Sequence, residues 1–422
     1  MRILWLKTEL LHPVDKGGKI RTYQMLKELK RKHHITYLCF DETASTPEDW
    51  EQAKEYCHEL VRVPHQTRAK FSPGFYADLA LNFITPLPYF IKKYESRVMQ
   101  QKLKDLTETK KTDVLVCDFL VSSVNVPTDL PCATVLFQHN VEEIIWKRYY
   151  EVQENKLKKA YLYDQWRKTR QYERDTCRRF NHVIAVSRED RELMKRDYGI
   201  TAIDDVPTGV DTDFFTCGGK ENQDPHNIVF TGSMDWLPNE DAIRYFIEQI
   251  MPLIKRHKQN VTLTVVGRNP YSGLVELSRR DPSVIVTGRV EDVRPYMERA
   301  AAYVVPLRIG GGTRLKIFEA MAMEKPIVST SVGAEGLPVQ HGEHLLLADT
   351  PELFSESVVR LLSDKAFAND LGHRAAEIVR KEFGWRPVAE RFAAICEHAI
   401  RPGCDSVFDS TFAVGSNVQP VA

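Results

Sequence analysis

A triple glycine, two cations and one carboxylate lie close together in the segment 304–337, VVPLRIGGGTRLKIFEAMAMEKPIVSTSVGAEGL. The pattern places the glycines just before a predicted helix, where unpaired backbone N–H groups and the helix dipole attract an anion. Glycine has no Cβ, so an anion can approach the backbone closely. Beyond Thr313, two side chains add positive charge, Arg314 and Lys316. The segment therefore predicts a diphosphate site built on Gly310, Gly311 and Gly312.

One acidic residue interrupts the apolar run IFEAMAM that follows the glycines, and this residue is Glu319. A carboxylate in such a run is costly to desolvate unless hydrogen-bond donors meet it. The hydroxyl groups of a ribose are suitable donors. Phosphate, cation and ribose contacts within ten residues predict a nucleotide site.

An ordinary loop explains part of the same pattern. Glycines before a helix commonly form a strand-to-helix turn, and Lys316 with Glu319 has the spacing of a surface pair. The next residues favour a site, because Lys325-Pro326 ends the helix and 327–330 predicts a short strand. A second turn of small residues follows at 333–336.

With these motifs, residues 304–337 resemble the signature of the retaining family 4 of GT-B glycosyltransferases. The resemblance implies transfer of a sugar from a nucleotide diphosphate to an acceptor, without a metal or other cofactor. It also implies two facing Rossmann-like domains with an interdomain cleft, the acceptor being bound by the N-terminal half. In that family the glycine loop holds the donor diphosphate and sugar, and the glutamate matched by Glu319 holds the ribose.

The chain departs from the family pattern at one position. The family usually carries two glutamates separated by seven residues, and the residue eight positions before Glu319 is Gly311. The identity of the sugar and part of the mechanism therefore stay open. Two alternatives to transfer remain: a nucleotide-sugar epimerase of the same architecture, and a nucleotide-sugar-binding protein that has lost catalysis.

Two segments of the first half carry further candidate residues. Gly17 and Gly18 follow a predicted strand and precede a helix, so they form either a plain turn or, by resemblance, the family's glycine turn near the donor phosphate. His139 follows another strand directly. It is either a structural hydrogen-bonding residue or, by resemblance, the catalytic histidine beside the donor sugar.

In the second half, Gly232 and Ser233 follow a predicted strand and are expected near the donor phosphates. Many family members supply a basic pair here, and this chain has none before Arg244, so Arg314 and Lys316 are predicted to neutralise the charge. By resemblance, Arg289 and Val290 are predicted to lie against the nucleobase. Gly267 is expected to be an ordinary turn glycine.

Strands alternate with helical periodicity along the whole chain, and the sequence of elements starts again after Pro207. This predicts an α/β protein of two doubly wound domains, at 1–205 and 206–385, with a returning helix at 386–400 and a flexible tail at 401–422. The predicted strands are 2–7, 35–40, 114–117, 134–138, 183–186, 227–231, 262–266, 284–287, 302–306 and 327–330.

Composition restricts the classes of partner. The 58 basic and 58 acidic residues balance, so no global field favours nucleic acid. No run of 18 apolar residues is present, and the eight cysteines have no CxxC spacing, which predicts a cytoplasmic chain without a zinc site. The motif Asp211-Thr212-Asp213 resembles the metal motif of another glycosyltransferase fold, but no metal is expected, because cations and a helix dipole already meet the phosphates.

Two basic and aromatic segments, 146–180 and 83–94, leave the acceptor open. Such a segment either rests on an anionic membrane or buries its aromatic stripe in the first domain. A lipid-linked acceptor would suit the first alternative. The acceptor is otherwise expected to be a glycan or a small molecule. By resemblance, UDP is the expected nucleotide and exopolysaccharide assembly the expected setting.

Overall fold

The computed structural model describes residues 1–14, 17–41, 46–69, 71–153, 155–219, 222–309 and 315–401. The chain forms two compact units. The first unit comprises Met1–Pro207 together with the chain from Val388, and the second comprises Thr208–Pro387.

A seven-stranded sheet forms the centre of the first unit, with the order β3-β2-β1-β4-β5-β6-β7 and parallel pairing throughout. The central strand β4 is buried along its whole length, as expected for a parallel strand covered on both faces. The strands are β1 (Arg2–Leu6), β2 (His34–Asp41), β3 (Glu59–Pro64), β4 (Val114–Asp118), β5 (Ala133–Phe137), β6 (His182–Ala185) and β7 (Ile203–Asp205).

Nine helices belong wholly or mainly to the described part of this unit. They are α1 (Gly17–Leu29), α2 (Pro47–Gln52), α3 (Pro73–Asn82), α4 (Tyr89–Lys92), α5 (Arg97–Thr109), α6 (Glu142–Val152), α7 (Lys156–Arg179), α8 (Arg188–Tyr198) and the last helix of the chain, α16 (Trp385–Ile400). Short 3-10 turns occupy Ala53–Glu55 and Leu120–Asn125.

The second unit contains a six-stranded parallel sheet with the order β10-β9-β8-β11-β12-β13. Its strands are β8 (Asp224–Thr231), β9 (Thr262–Val266), β10 (Val284–Gly288), β11 (Ala300–Val305), β12 (Ile327–Ser329) and β13 (Leu346–Leu347). Its helices are α9 (Leu237–Tyr245), α10 (Met251–His257), α11 (Ser272–Arg280), α12 (Arg294–Arg299), α13 (Leu315–Ala322), α14 (Pro351–Ser363) and α15 (Lys365–Ile378), with π-helical turns at Phe246–Ile250 and Val379–Phe383.

The predicted fold class is confirmed, since each unit is a Rossmann-like parallel sheet between helices. The ten predicted strands are all present, within about three residues at each end. Three strands were not predicted: β3, β7 and β13. β3 ends in a proline at the sheet edge, and the other two have three and two residues, too few for a periodic pattern.

The basic and aromatic segment 146–180 forms two helices, α6 and α7, and not one long helix. The buried side of α7 is also not an aromatic stripe. It consists of Gln165, Lys168, Thr169, Glu173, Thr176 and Cys177. Hydrogen bonds hold this polar side, for example from Gln165 Nε2 to Asn82 Oδ1 at 2.8 Å and from Lys168 Nζ to the Asn82 carbonyl at 2.7 Å.

Candidate functional site

Three adjacent strands of the second unit end at glycines whose backbones are in contact. The Gly232 N–H donates to the Val266 carbonyl at 2.9 Å, and the Gly267 N–H donates to the Gly288 carbonyl at 3.2 Å. A Cβ on Gly267 would lie 1.8 Å from the Gly232 carbonyl oxygen. Gly267 therefore has a packing role at this turn, because no side chain fits between these two strand ends.

Lys316 reaches this glycine edge from α13. Its Nζ donates to Asn239 Oδ1 at 2.9 Å, and Asn239 Nδ2 donates to the Ser233 carbonyl at 2.8 Å. The ammonium group also lies 4.2 Å from the centre of the Phe230 ring. A Cβ on Gly232 would come within 2.7 Å of Lys316 Nζ. The structure thus brings together three predicted residues, Gly232, Ser233 and Lys316.

A second cation, Arg268, lies at the same edge and was not among the predicted site residues. Its Nε donates to Ser233 Oγ at 2.8 Å and lies 4.0 Å from Asp235 Oδ2. Asn269, with φ of 53°, donates to the same carboxylate at 2.8 Å. The Gly-Arg pair at the end of β9 was the available signal, but its partner Ser233 is 35 residues away in the chain.

Glu319 lies on α13 one turn beyond Lys316 and is half-buried. Within the part of the chain that the structure describes, its carboxylate has no hydrogen-bond donor and no ion-pair partner. Burial raises the pKa of the Glu319 carboxyl to about 7, and the positive charge of Lys316 opposes that shift. The carboxylate is therefore able to accept hydrogen bonds from ligand hydroxyl groups.

The other predicted residues of the second unit are less informative. Arg289 is exposed and forms no hydrogen bond or ion pair with the described residues, and Val290 packs at the margin of the core. Five predicted residues lie outside the described residues: Gly310, Gly311, Gly312, Thr313 and Arg314.

A buried carboxylate, Asp118, lies at the end of the central strand of the first unit. Its Oδ2 accepts hydrogen bonds from Trp5 Nε1 at 3.1 Å, Lys7 Nζ at 2.8 Å and Thr22 Oγ1 at 2.6 Å. Its Oδ1 lies 2.7 Å from His139 Nε2. Asp118 and Lys7 were not predicted as site residues. An acid that ends the apolar run VLVC was the signal that pointed to Asp118.

The charges of this cluster are set by burial and by pairing. Burial disfavours ionisation of Asp118, but Lys7 and His139 outweigh it and hold the pKa of its carboxyl below the usual value. Burial lowers the pKa of His139 to about 3, against the opposing effect of Asp118. Burial also lowers the pKa of Lys7, again opposed by Asp118. At neutral pH, His139 is therefore a neutral imidazole beside an ionised carboxylate.

Phe119 connects His139 to the glycine turn of α1. Its φ of 71° with ψ of 147° is a backbone region that residues other than glycine seldom adopt, at a cost of about 1–3 kcal/mol. The ring stacks on His139 with centroids 3.7 Å apart. A Cβ on Gly18 would lie 2.9 Å from Phe119 Cζ, whereas a Cβ on Gly17 would meet nothing within 4 Å. A larger residue at 18 would therefore have to displace the Phe119 ring, whereas there is space for one at 17.

The described residues contain no group of three side chains suited to hold a metal ion. Within Asp211-Thr212-Asp213, the carboxylate of Asp211 accepts the backbone N–H groups of Asp213 at 3.2 Å and Phe214 at 2.9 Å. Asp211 therefore closes a turn of the backbone.

Comparison with known proteins assigns both halves of the chain to glycosyltransferases. Residues 16–214 match the family described as Glycosyltransferase Family 4, and residues 225–364 match Glycosyl transferases group 1. A curated relative from Klebsiella pneumoniae, named an uncharacterized 44.6 kDa protein in cps region, is 21% identical over 92% of this chain and 97% of its own.

Two solved structures share the fold. Anabaena Alr3699/HepE in complex with UDP has a TM-score of 0.61 and 14% identity, over 94% of this chain and 100% of that one. A mutant of S. aureus TarM, in complex with Fondaparinux, alpha-GlcNAc-glycerol and UDP, has a TM-score of 0.63 and 11% identity, over 94% and 100%. By both its halves and by its two parallel-sheet units, this chain belongs to the group 1 glycosyltransferases of GT-B fold.

Proposed function

We propose that this glycosyltransferase moves a sugar from a UDP-sugar to a glycan or lipid-linked acceptor with retention of the anomeric configuration. The observation that carries the proposal is the convergence of Lys316 and Arg268 at the glycine strand ends, with the half-buried Glu319 one turn beyond Lys316 on α13. Two of the structural relatives are complexes with UDP, which supports this nucleotide.

In this proposal the second unit holds the donor nucleotide. Lys316 and Arg268 meet the diphosphate, and Glu319 accepts hydrogen bonds from the ribose hydroxyls. Negative charge grows on the departing diphosphate in the transition state, and fixed positive charge around it lowers the barrier. The two cations provide this charge without a metal, and no described side chain is assigned as a nucleophile.

The first unit is proposed to contribute His139 beside the donor sugar. A neutral imidazole whose Nε2 faces an ionised Asp118 can accept a hydrogen bond from a sugar hydroxyl at Nδ1 without adding a charge of its own. The rigid stack of Phe119 on His139 fixes the plane of the ring. Gly18 packs against the same Phe119 ring, so the backbone at the start of α1 lies close to this ring.

The acceptor is proposed to belong to polysaccharide assembly, since the relative from Klebsiella pneumoniae is named for its place in a cps region. Among the described helices, none combines the length and apolar content that crossing a bilayer requires. We propose a cytoplasmic location with peripheral contact at the membrane. The surface for that contact is the end of α3 and the start of α7, where Ile84 and Leu157 are each 85% exposed.

Calorimetric titration of the purified chain with UDP, GDP and ADP, with and without Mg²⁺, tests the donor site. Binding of UDP alone, unchanged by Mg²⁺, is the expected result, and binding of none of the three nucleotides would contradict the proposal. Product analysis then separates the alternatives, since transfer requires an acceptor, epimerisation does not, and a protein without catalysis forms no product.

A further inference from the structure

Glu173, on the inner face of α7, is a fully buried acid that the proposed mechanism does not use. Its Oε1 accepts hydrogen bonds from Gln138 Nε2 and from the Glu142 N–H, both at 2.9 Å. Its Oε2 accepts from the Glu143 N–H and from the Tyr198 hydroxyl, both at 2.9 Å. One carboxylate therefore accepts hydrogen bonds from residues on both sides of His139 in the chain.

We infer that Glu173 is a positioning residue that fixes the segment 138–143, and through it the imidazole of His139. The catalytic meaning of this inference rests on the proposed function, since it assumes that His139 lies beside the donor sugar. The geometric part does not depend on that assumption. Gln138 and Glu142 bracket His139 in the chain, and both bind the same oxygen atom.

The start of α6 shows why a carboxylate from another helix is needed. Its N-cap residue is Val141, which has no side-chain acceptor for the unpaired N–H groups of the first turn. Glu173 accepts two of these N–H groups, and an acidic group at a helix N-terminus is also favoured by the helix dipole. The carboxylate thus acts as the missing cap and fixes where α6 begins.

The chemistry of the four contacts favours an acid over an amide at this position. All four partners are donors, and a glutamine would turn its NH₂ group towards at least one of them. Burial raises the pKa of the Glu173 carboxyl, and the donors from Glu143, Glu142 and Tyr198 oppose that shift by favouring the ionised form. Such a costly buried acid is expected where it holds a specific geometry.

Nuclear magnetic resonance of the full chain, labelled with ¹⁵N-histidine, tests the geometric part. The His139 signal is assigned by its loss in His139→Asn. We expect Glu173→Gln to shift or broaden this signal, Tyr198→Phe to do so to a smaller extent, and Thr169→Val to leave it unchanged. Thr169 is a matched control, because it is buried on the same helix and its hydroxyl bonds only within that helix, to the Gln165 carbonyl at 2.7 Å.

An unchanged His139 signal in folded Glu173→Gln, or an equal change in Thr169→Val, would overturn the inference. If Glu173→Gln does not fold, Tyr198→Phe decides, because it removes one of the four hydrogen bonds and leaves the acid in place. The remaining charged groups near His139 are Asp118, Lys7 and Arg21, and none of these variants changes them.

The catalytic part is tested with the UDP-sugar that the wild type uses. We expect Glu173→Gln to lower kcat about tenfold or more, since small displacements of catalytic groups have effects of this size. The affinity for UDP is expected to stay within about twofold, because the proposed nucleotide contacts belong to the second unit. Unchanged kcat would overturn the catalytic part. A wild-type chain that transfers no sugar would refute the proposed function and leave the histidine spectrum to decide the geometric part.

Discussion

Glu319 and Lys316 are neighbours on α13 and have different proposed roles: Glu319 binds the ribose and Lys316 stabilises charge on the diphosphate. Single substitutions test the two roles separately. Glu319→Ala removes the carboxylate that is proposed to hold the ribose, so UDP and UDP-sugar should both bind about tenfold more weakly, the effect of one charge-assisted hydrogen bond. Calorimetric titration measures both affinities. Glu356→Ala, on an exposed face of α14, is the control and should change neither. Unchanged UDP affinity in Glu319→Ala would refute the ribose contact.

Lys316→Met is expected to lower turnover more than donor affinity. In the proposed site the ammonium group lies beside the departing diphosphate, so its contribution should be larger in the transition state than in the bound donor. Steady-state kcat is compared with the UDP-sugar dissociation constant, and the exposed Lys365→Met is the control. Equal losses in turnover and affinity would show that Lys316 binds the donor without selective stabilisation of the transition state.

His139 makes the stability of the first unit depend on pH. Its pKa is about 3 in the folded chain and near 6.5 when unfolded, so the unfolded state binds protons more readily. The contribution to stability is complete above about pH 6.5 and falls with acidification by up to about 1.4 kcal/mol per pH unit. Asp118 has a lowered pKa and loses its contribution only at more acidic pH.

Urea unfolding at pH 7 and pH 5 measures this dependence, and His139→Asn isolates the part due to His139 from the other histidines. The wild type should lose more unfolding free energy between the two pH values than the variant loses. Equal losses in the two proteins would mean that His139 is not held as a buried neutral imidazole.

The residues that sequence reasoning missed share a physical reason. Lys7 and Asp118 are 111 positions apart in the chain and become partners only because their strands β1 and β4 are neighbours. Arg268 likewise meets Ser233 across two adjacent strand ends. His139, Gly18, Gly232 and Lys316 could be named as candidates from the sequence because each follows a strand or opens a helix. Which strands are neighbours in the sheet depends on residues far apart in the chain, and the local sequence pattern does not show it.

At the scale of elements, the first turn of α1 packs against Phe119, the residue that follows β4. Gly18→Ala would place a Cβ 2.9 Å from Phe119 Cζ, so we expect a loss of about 1–3 kcal/mol in unfolding free energy through overpacking. Gly17→Ala is the matched control, because its Cβ meets nothing within 4 Å. Denaturant unfolding compares the two variants, and equal stability would show that Phe119 moves aside without cost.

Whole elements were predictable to different degrees for a similar reason. The buried parallel strands appear in the sequence as short apolar runs, and all ten that were predicted are present. α7 was harder, since its inner face is polar and forms hydrogen bonds with Asn82 and with Gln138, which precedes α6. A hydrophobic pattern detects apolar packing and has no signal for a helix held by polar side chains.

The whole molecule has equal numbers of basic and acidic residues, so attraction to an anionic membrane must come from a local surface. The proposed contact surface lies where α3 ends and α7 begins. The Phe83 ring packs 5.9 Å from the Tyr161 ring, which brings the exposed Ile84 close to the first turns of α7. Next to Leu157, the exposed Lys156 and Lys158 form no ion pair with any described residue.

This arrangement predicts binding to vesicles that contain anionic phosphatidylglycerol and little binding to neutral phosphatidylcholine vesicles. The side chains of Ile84 and Leu157 would enter the membrane interface, and Lys156 and Lys158 would contact the anionic headgroups. Added salt should therefore weaken the binding. Ile84→Asp with Leu157→Asp should abolish co-sedimentation, and Val98→Asp, an equally apolar exposed site on α5, should not. Both proteins should keep the UDP affinity of the wild type, since the substitutions lie in the first unit. Equal co-sedimentation of the double variant and the wild type would show that this surface serves another partner, and the acceptor would then have to reach the protein from solution.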